Sequence, residues 1–244
     1  MRHCLGELEL ASPRNSRSLQ GMLGLCLLVA ADQMIRWWPG TVYPSYSLAA
    51  PRCRLPVMAP TKIICLGSSA GGLQALIDFF KHMAADSGMA FVVIQHLQAH
   101  APTLTPDILS GVTAMTVTIA KNGELVQPNR VYTIPPNAQL TIVEGRLQVA
   151  PRTETPGRHK PFDRFLHSLA IDCKARATAV VLSGYDGDGS DGFIAIKAHG
   201  GITYAQDQSA LLDQMPQHAM ATGCVDHVLS PGQIAQRIST VTSN

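Results

Sequence analysis

Three short apolar runs in this sequence each lead into residues able to do chemistry: a serine pair, a histidine and a string of aspartates. The first run, KIICL at 62–66, is followed by Gly67-Ser68-Ser69-Ala70-Gly71-Gly72 and then by LQALIDFFKHMA. A strand, a glycine turn and a helix in that order lift a hydroxyl above the sheet and aim free helix amides at whatever sits there. Such amides suit a phosphate and equally the oxyanion of an acyl-transfer intermediate. A plain structural reading also stands, in which Ser68 or Ser69 caps the helix. The dinucleotide fingerprint G-x-G-x-x-G is not met, because Ser69 occupies the second glycine's place, and there is no lysine for a Walker loop.

The second run, FVVI at 91–94, ends on Gln95-His96. A lone histidine is usually a packed or surface residue. At the end of a buried strand, in reach of a strand-end serine, it is a candidate general base. His100 follows in the succeeding loop and reads as solvated. The third run, AVVL at 179–182, opens into SGYDGDGSDG, with Asp186, Asp188 and Asp191 among glycines. Ordinary turn chemistry accounts for such a string. A calcium loop does not: counted from Asp186, the sixth position holds Asp191 instead of glycine, and Lys197 stands where the closing glutamate belongs. With Ser69 and His96, an aspartate here completes a nucleophile, a base and an orienting carboxylate. The order Ser, His, Asp along the chain matches neither the α/β-hydrolases, nor chymotrypsin, nor subtilisin.

These residues need elements to hold them. Helices are expected at 103–110, 162–172, 193–198, 215–222 and 231–239, besides one after Gly72 whose Leu73, Leu76, Ile77 and Phe80 share a face. Further strands are expected at 116–119, 131–134, 140–143, 147–149 and 202–205, with a polar loop at 151–159. Strands of near-continuous apolar content alternating with helices argue an α/β fold, a doubly wound and mainly parallel sheet covered on both faces. In such a sheet ligands sit at the carboxyl ends of the strands, where Ser69, His96 and the aspartates fall.

The composition fits a packed protein, with 46% hydrophobic, 15% charged and 5% aromatic residues over 244 positions, and it excludes whole-chain disorder and fibrous repeats. A net charge of +2 is too small for a nucleic-acid surface. The excess lies in residues 1–58, where six arginines meet three carboxylates, leaving −1 for the rest. That head holds both tryptophans, much proline and no periodicity, so 1–58 is expected to lie outside the fold, 59–244 to form one catalytic domain, and Met58 to be the natural start. The stretch GMLGLCLLVAA at 21–31 is too short for a bilayer, which needs about 20 residues, and a long lead-in that carries Glu7 and Glu9 disfavours a signal peptide despite the small residues Val29-Ala30-Ala31 at its end. The scattered cysteines show no C-x-x-C spacing and read as reduced thiols of a cytoplasmic protein.

Seven segments in order carry a resemblance: GSSAGGLQAL, VVIQHL, VYTIPPN, HKPFDRFLHSLA, VVLSGYDGDGSDG, TYAQDQ and MPQHAMATGCVDHVL. Together, over about residues 62–238, they resemble the catalytic domain of the CheB-type protein-glutamate methylesterases of bacterial chemotaxis. ADSGMAFVVIQHL is most similar to the modules fused to CheR-type methyltransferases. The resemblance implies hydrolysis of glutamyl methyl esters on the cytoplasmic helices of methylated chemoreceptors, with release of methanol, and in some members deamidation of receptor glutamines. It implies Ser69 as nucleophile, His96 as base and Asp188 as the orienting carboxylate, with the backbone amides of Ala70 and Tyr185 as candidate oxyanion donors. Asp188→Asn is then expected to fold normally and lose turnover.

It calls for no metal or organic cofactor, no nucleic acid and no membrane insertion. Two departures stand out. Asp186 occupies a position that is usually glycine, which makes it the rival for the orienting role. Residues 1–58 are too short and wrongly patterned for the receiver domain of the family's regulated members, so control in trans by a response regulator, association with a CheR-type methyltransferase, or constitutive activity is expected. A serine esterase or amidase acting on a small molecule, and a non-catalytic receptor-docking module, are the alternatives.

Overall fold

A computed structural model describes residues 60, 62–96, 104–152 and 159–241. The readings made for residues 1–58, for His100 and for 153–158 lie outside them. Strand β1 (Ile63–Ser68) is buried along its whole length and sits at the centre of a seven-stranded sheet. Its alternate residues feed two separate cores, Ile63 and Cys65 on one face, Ile64 and Leu66 on the other. That two-sided burial is why the strand reads as an unbroken apolar run.

From β1 the chain passes through α1 (Gly72–Lys81) to β2 (Ala90–Gln95), then α2 (Thr105–Ser110), β3 (Thr116–Ile119), β4 (Glu124–Leu125) and β5 (Arg130–Thr133). A hairpin, β6 (Ala138–Val143) with β7 (Arg146–Pro151), precedes α3 (Pro161–Cys173). The second half runs β8 (Ala177–Val181), α4 (Ser190–Ala198), β9 (Ile202–Gln206), α5 (Gln214–Ala221), β10 (His227–Leu229) and α6 (Pro231–Val241). The main sheet has the order β10-β9-β8-β1-β2-β5-β3, and all of its pairings are parallel. The α/β, doubly wound architecture expected from the sequence is the one observed.

The helices divide between the faces. On one, α1 and α6 cover Leu66, Val93 and Val180 with Leu76, Phe79, Phe80, Ile234 and Ile238. Phe79, Phe80 and Phe91 meet edge to face, with centroids 5.2 to 6.2 Å apart, a geometry that adds to the burial of their large apolar surfaces. The buried face of α1 is Ala75, Leu76, Phe79 and Phe80, so of the four residues read as one face Leu76 and Phe80 are buried while Leu73 and Ile77 lie half-buried at its edge. On the other face α3, α4 and the hairpin pack Phe162, Phe165, Leu166, Phe193, Leu140 and Leu147. No helix among the described residues is long and apolar enough to cross a membrane.

The strand order reverses at β1: one half of the sheet grows outward from β2, the other from β8. A crevice opens there at the carboxyl ends of the strands, the usual ligand position in an open α/β sheet. The Gly67–Gly72 turn and the loop after β8 both end in it.

Candidate active site

The pleat decides between the two serines. Ser68 is the last residue of β1, fully buried, with an Oγ that has no hydrogen-bond partner. Ser69, one residue on, is half-exposed at the crevice. Its N–H donates to the Ser183 carbonyl at 3.0 Å and its carbonyl accepts from Gly72 N–H at 3.0 Å, which closes a tight turn. Gly71 sits in that turn at φ 76°, a left-handed conformation that favours glycine, and it is also the N-cap of α1. No side-chain hydrogen bond caps α1, so the reading of Ser68 or Ser69 as its cap is corrected. Across the crevice a Cβ on Gly184 would run into the Met215 sulfur and lie 3.0 Å from the Ser69 Cβ, so the second loop closes on the serine only because that position is glycine.

His96 is Ser69's neighbour by register. Ser68 faces Gln95 in the β1–β2 ladder, and His96 N–H continues it by donating to the Ser68 carbonyl at 2.9 Å. Among the described residues the Ser69 hydroxyl makes no hydrogen bond to the imidazole; such contacts commonly close when substrate binds. The other ring nitrogen, His96 Nδ1, is 2.6 Å from Asp186 Oδ2.

Here the structure departs from the expectation. Asp186, two residues before the expected Asp188, holds the histidine. Asp188 is buried and turned away, its two oxygens accepting from the N–H groups of Phe162 at 3.0 Å and Asp163 at 2.9 Å. Those are among the first amides of α3, which begins at Pro161 and has no capping side chain of its own. Asp188 is the missing cap, supplied from another part of the chain. Asp163 returns the favour by accepting from Gly192 N–H at 2.8 Å, at the start of α4. The two carboxylates lock the loop against both helix starts. With Asp188 drawn inward, Asp186 is left at the mouth, where its Oδ1 accepts from Asp188 N–H at 3.1 Å.

The electrostatics follow the geometry. The hydrogen bond to Asp186 raises the His96 pKa above the ordinary imidazole value against the opposing effect of burial, and the same bond holds Asp186 below the usual carboxylate range. Burial pushes Asp188 up to about 6, opposed by the two amides. Because a raised pKa keeps the base protonated to higher pH, the acid limb of any kcat/KM profile governed by His96 should lie above 6.5. A pH-rate series from pH 5 to 9 reads it directly, and a limb at or below 6.5 would contradict the bond.

The backbone amides of Ala70 and Tyr185 have no acceptor among the described residues, and both residues are exposed at the crevice. Ser183, fully buried behind the turn, ties it down: its hydroxyl donates to the Ala70 carbonyl and accepts from Leu212 N–H, both at 3.0 Å. Beside them a cleft of about 320 Å³ is lined by His96, Arg152, His159, Lys160, Asp186, Gly187 and Asp188. The His159 ring lies against His96 with centroids 5.4 Å apart. Burial first, then Arg152, push its pKa down to about 4, so it remains neutral beside His96. Neither Arg152 nor His159 stood out in the sequence, since both fall in what reads as a polar loop. The Pro161 helix start, two residues after His159, is the available signal that this stretch folds back onto the site.

The fold and the site define a class, a doubly wound α/β domain with a serine, a histidine and a carboxylate gathered at the ends of neighbouring strands. The chain belongs to the CheB methylesterase family, whose pattern it matches over residues 64–238. It is 31% identical over 207 residues to a protein-glutamate methylesterase/protein-glutamine glutaminase of Myxococcus xanthus, a match covering 82% of this chain and 60% of that one. A group 3 operon protein of the same description from Rhizobium meliloti is 34% identical over 185 residues, covering 75% and 52%. Among solved structures, the Thermotoga maritima CheB methylesterase catalytic domain superposes with a TM-score of 0.68 at 26% identity, covering 75% of this chain and all of that one. The chain thus spans between half and three fifths of the length of these two curated relatives.

Proposed function

We propose that this protein hydrolyses glutamyl methyl esters on the cytoplasmic helices of chemoreceptors, releasing methanol and restoring the carboxylate. The observation that carries the reading is the His96–Asp186 bond of 2.6 Å at the strand end beside Ser69. In this reading Ser69 Oγ attacks the ester carbonyl as His96 takes its proton. Asp186 keeps the remaining proton on Nδ1 and balances the imidazolium. The amides of Ala70 and Tyr185 receive the oxyanion, a donor of this kind being worth about 3 kcal/mol in related chemistry. His96 returns the proton to the leaving methoxide, and a water activated by the same imidazole releases the acyl group from Ser69. A glutamine side chain fits the same cycle with ammonia as leaving group, and the relatives' description as methylesterase/glutaminase supports that second activity.

Action in the cytoplasm is proposed with it, supported by the free thiols of Cys65, Cys173 and Cys224. So are control by a response regulator or a CheR-type methyltransferase in trans, and a catalytic unit that begins near residue 59.

The test is methanol release from a methyl-esterified receptor fragment, comparing the full chain, a Met58 start and Ser69→Ala. Release by the first two and none above background by the third is expected. A folded chain that releases no methanol yet is labelled at Ser69 by a serine-directed phosphonate is a hydrolase of another substrate. Absence of both signals would overturn the enzymatic reading.

A further inference from the structure

Arg152 follows directly on β7, where its backbone N–H is fixed to the Asn137 carbonyl at 3.0 Å, and its side chain lines the His96 cleft half-buried. Among the described residues no carboxylate pairs with it. The cleft's other cation, Lys160, is already committed to Asp163 at 3.0 Å and Asp191 at 3.3 Å. The carboxylates of the cleft are engaged too, Asp186 with the imidazole and Asp188 with α3. Among the described residues one guanidinium is therefore left over in a half-buried place, an arrangement that costs free energy unless something anionic completes it.

Its position gives no help to the base. The charge of Arg152 lowers the basicity of both His96 and His159, so it works against the imidazolium that ester hydrolysis must form. What it offers is a rigid fork of donors matched to a carboxylate.

We propose that Arg152 is a specificity-determining residue that binds a carboxylate of the substrate chain next to the reactive ester, so that the enzyme selects esters embedded in an acidic segment. The proposal rests on the ester-hydrolase reading of the same cleft and adds to it what the substrate must carry.

Two synthetic helical peptides with one glutamyl methyl ester each, flanked either by glutamates or by glutamines, are offered to the full chain, to Arg152→Gln and to Arg152→Lys. The parent should favour the acidic peptide in kcat/KM by about tenfold, the scale of one charge-assisted contact. Arg152→Gln should bring the ratio near one and Arg152→Lys should keep part of it. Added salt should shrink the parent's preference. Taking the ratio cancels any change that the lost charge makes to His96 itself. A parent ratio near one overturns the proposal, as does a ratio that survives in Arg152→Gln.

If the parent hydrolyses neither peptide, the ester-hydrolase reading fails on its own. Calorimetric binding of the two peptides to Ser69→Ala, with and without Arg152→Gln, then decides the recognition. An acidic preference abolished by the second substitution supports it, and equal binding overturns it.

Discussion

Asp186→Asn is expected to fold like the parent and to lose about four orders of magnitude in kcat, the scale seen when an orienting carboxylate is neutralised in other serine hydrolases. The replacement keeps an oxygen in place to accept from Asp188 N–H, so the loop retains its 3.1 Å tie. What changes is the group facing His96. The amide nitrogen donates to Nδ1, which drives the ring proton to Nε2, the nitrogen that must accept from Ser69. The base is then held in the wrong tautomer with its geometry intact. Two readouts accompany the rate. Methanol release should fall with little change in thermal midpoint, and the residual activity should show an acid limb lower than the parent's, because the hydrogen bond that raises the His96 pKa is gone. A variant with near-normal kcat would mean that Asp186 is a bystander.

Asp188→Ala should give the opposite pattern, a large loss of stability as its primary defect. Removal of the carboxylate strands the buried N–H groups of Phe162 and Asp163 at the start of α3. A lost N-cap costs about 0.5–2 kcal/mol, and each buried donor left without an acceptor about 1–3. The carboxylate's own burial, which pushes its pKa up to about 6, offsets part of this, and a net loss of about 2–4 kcal/mol is expected. At about 2–4 °C per kcal/mol for a chain of this size, the thermal midpoint should drop by about 5–15 °C.

The pH dependence provides a second check. The folded pKa of Asp188 lies above its ordinary 3.8, so the folded state holds the proton more tightly than the unfolded one. Its contribution is complete below 3.8 and is lost as pH rises through about 6. Denaturant midpoints should therefore show a larger deficit for Asp188→Ala at pH 5 than at pH 8. Asp188→Asn, which keeps one acceptor, should fall between. An unshifted midpoint with turnover lost by four orders of magnitude would put Asp188 on the histidine in the working enzyme and reverse the two assignments.

The pair shows where reading the residues in order stops. Asp186 and Asp188 stand two apart in a glycine string, and nothing local tells them apart. The decision belongs to amides 25 and 26 positions upstream, at the start of α3. The central strands were legible because burial on both faces makes them continuous apolar runs. Strands β4 and β10 were not, being two and three residues long, with Val228 of β10 left 46% exposed. The antiparallel pairing of β4 with β7 was likewise beyond a local pattern. The glycine string suggests a loop as far as Gly192, yet α4 begins at Ser190, where Asp163 accepts from the Gly192 N–H in its first turn.

The α/β class, the family, and the places of Ser69 and His96 at strand ends are all legible in the order of the residues. Each of these depends on period, on local turn chemistry or on the end of a strand, all written within a few consecutive residues. Packing across the sheet selects the aspartate that meets His96, sets Ser183 behind the turn that holds Ser69, and brings Arg152 and His159 into one cleft. Those outcomes rest on which hydrogen-bond donor or acceptor each polar group meets across the sheet, a competition between distant segments settled when the chain is packed.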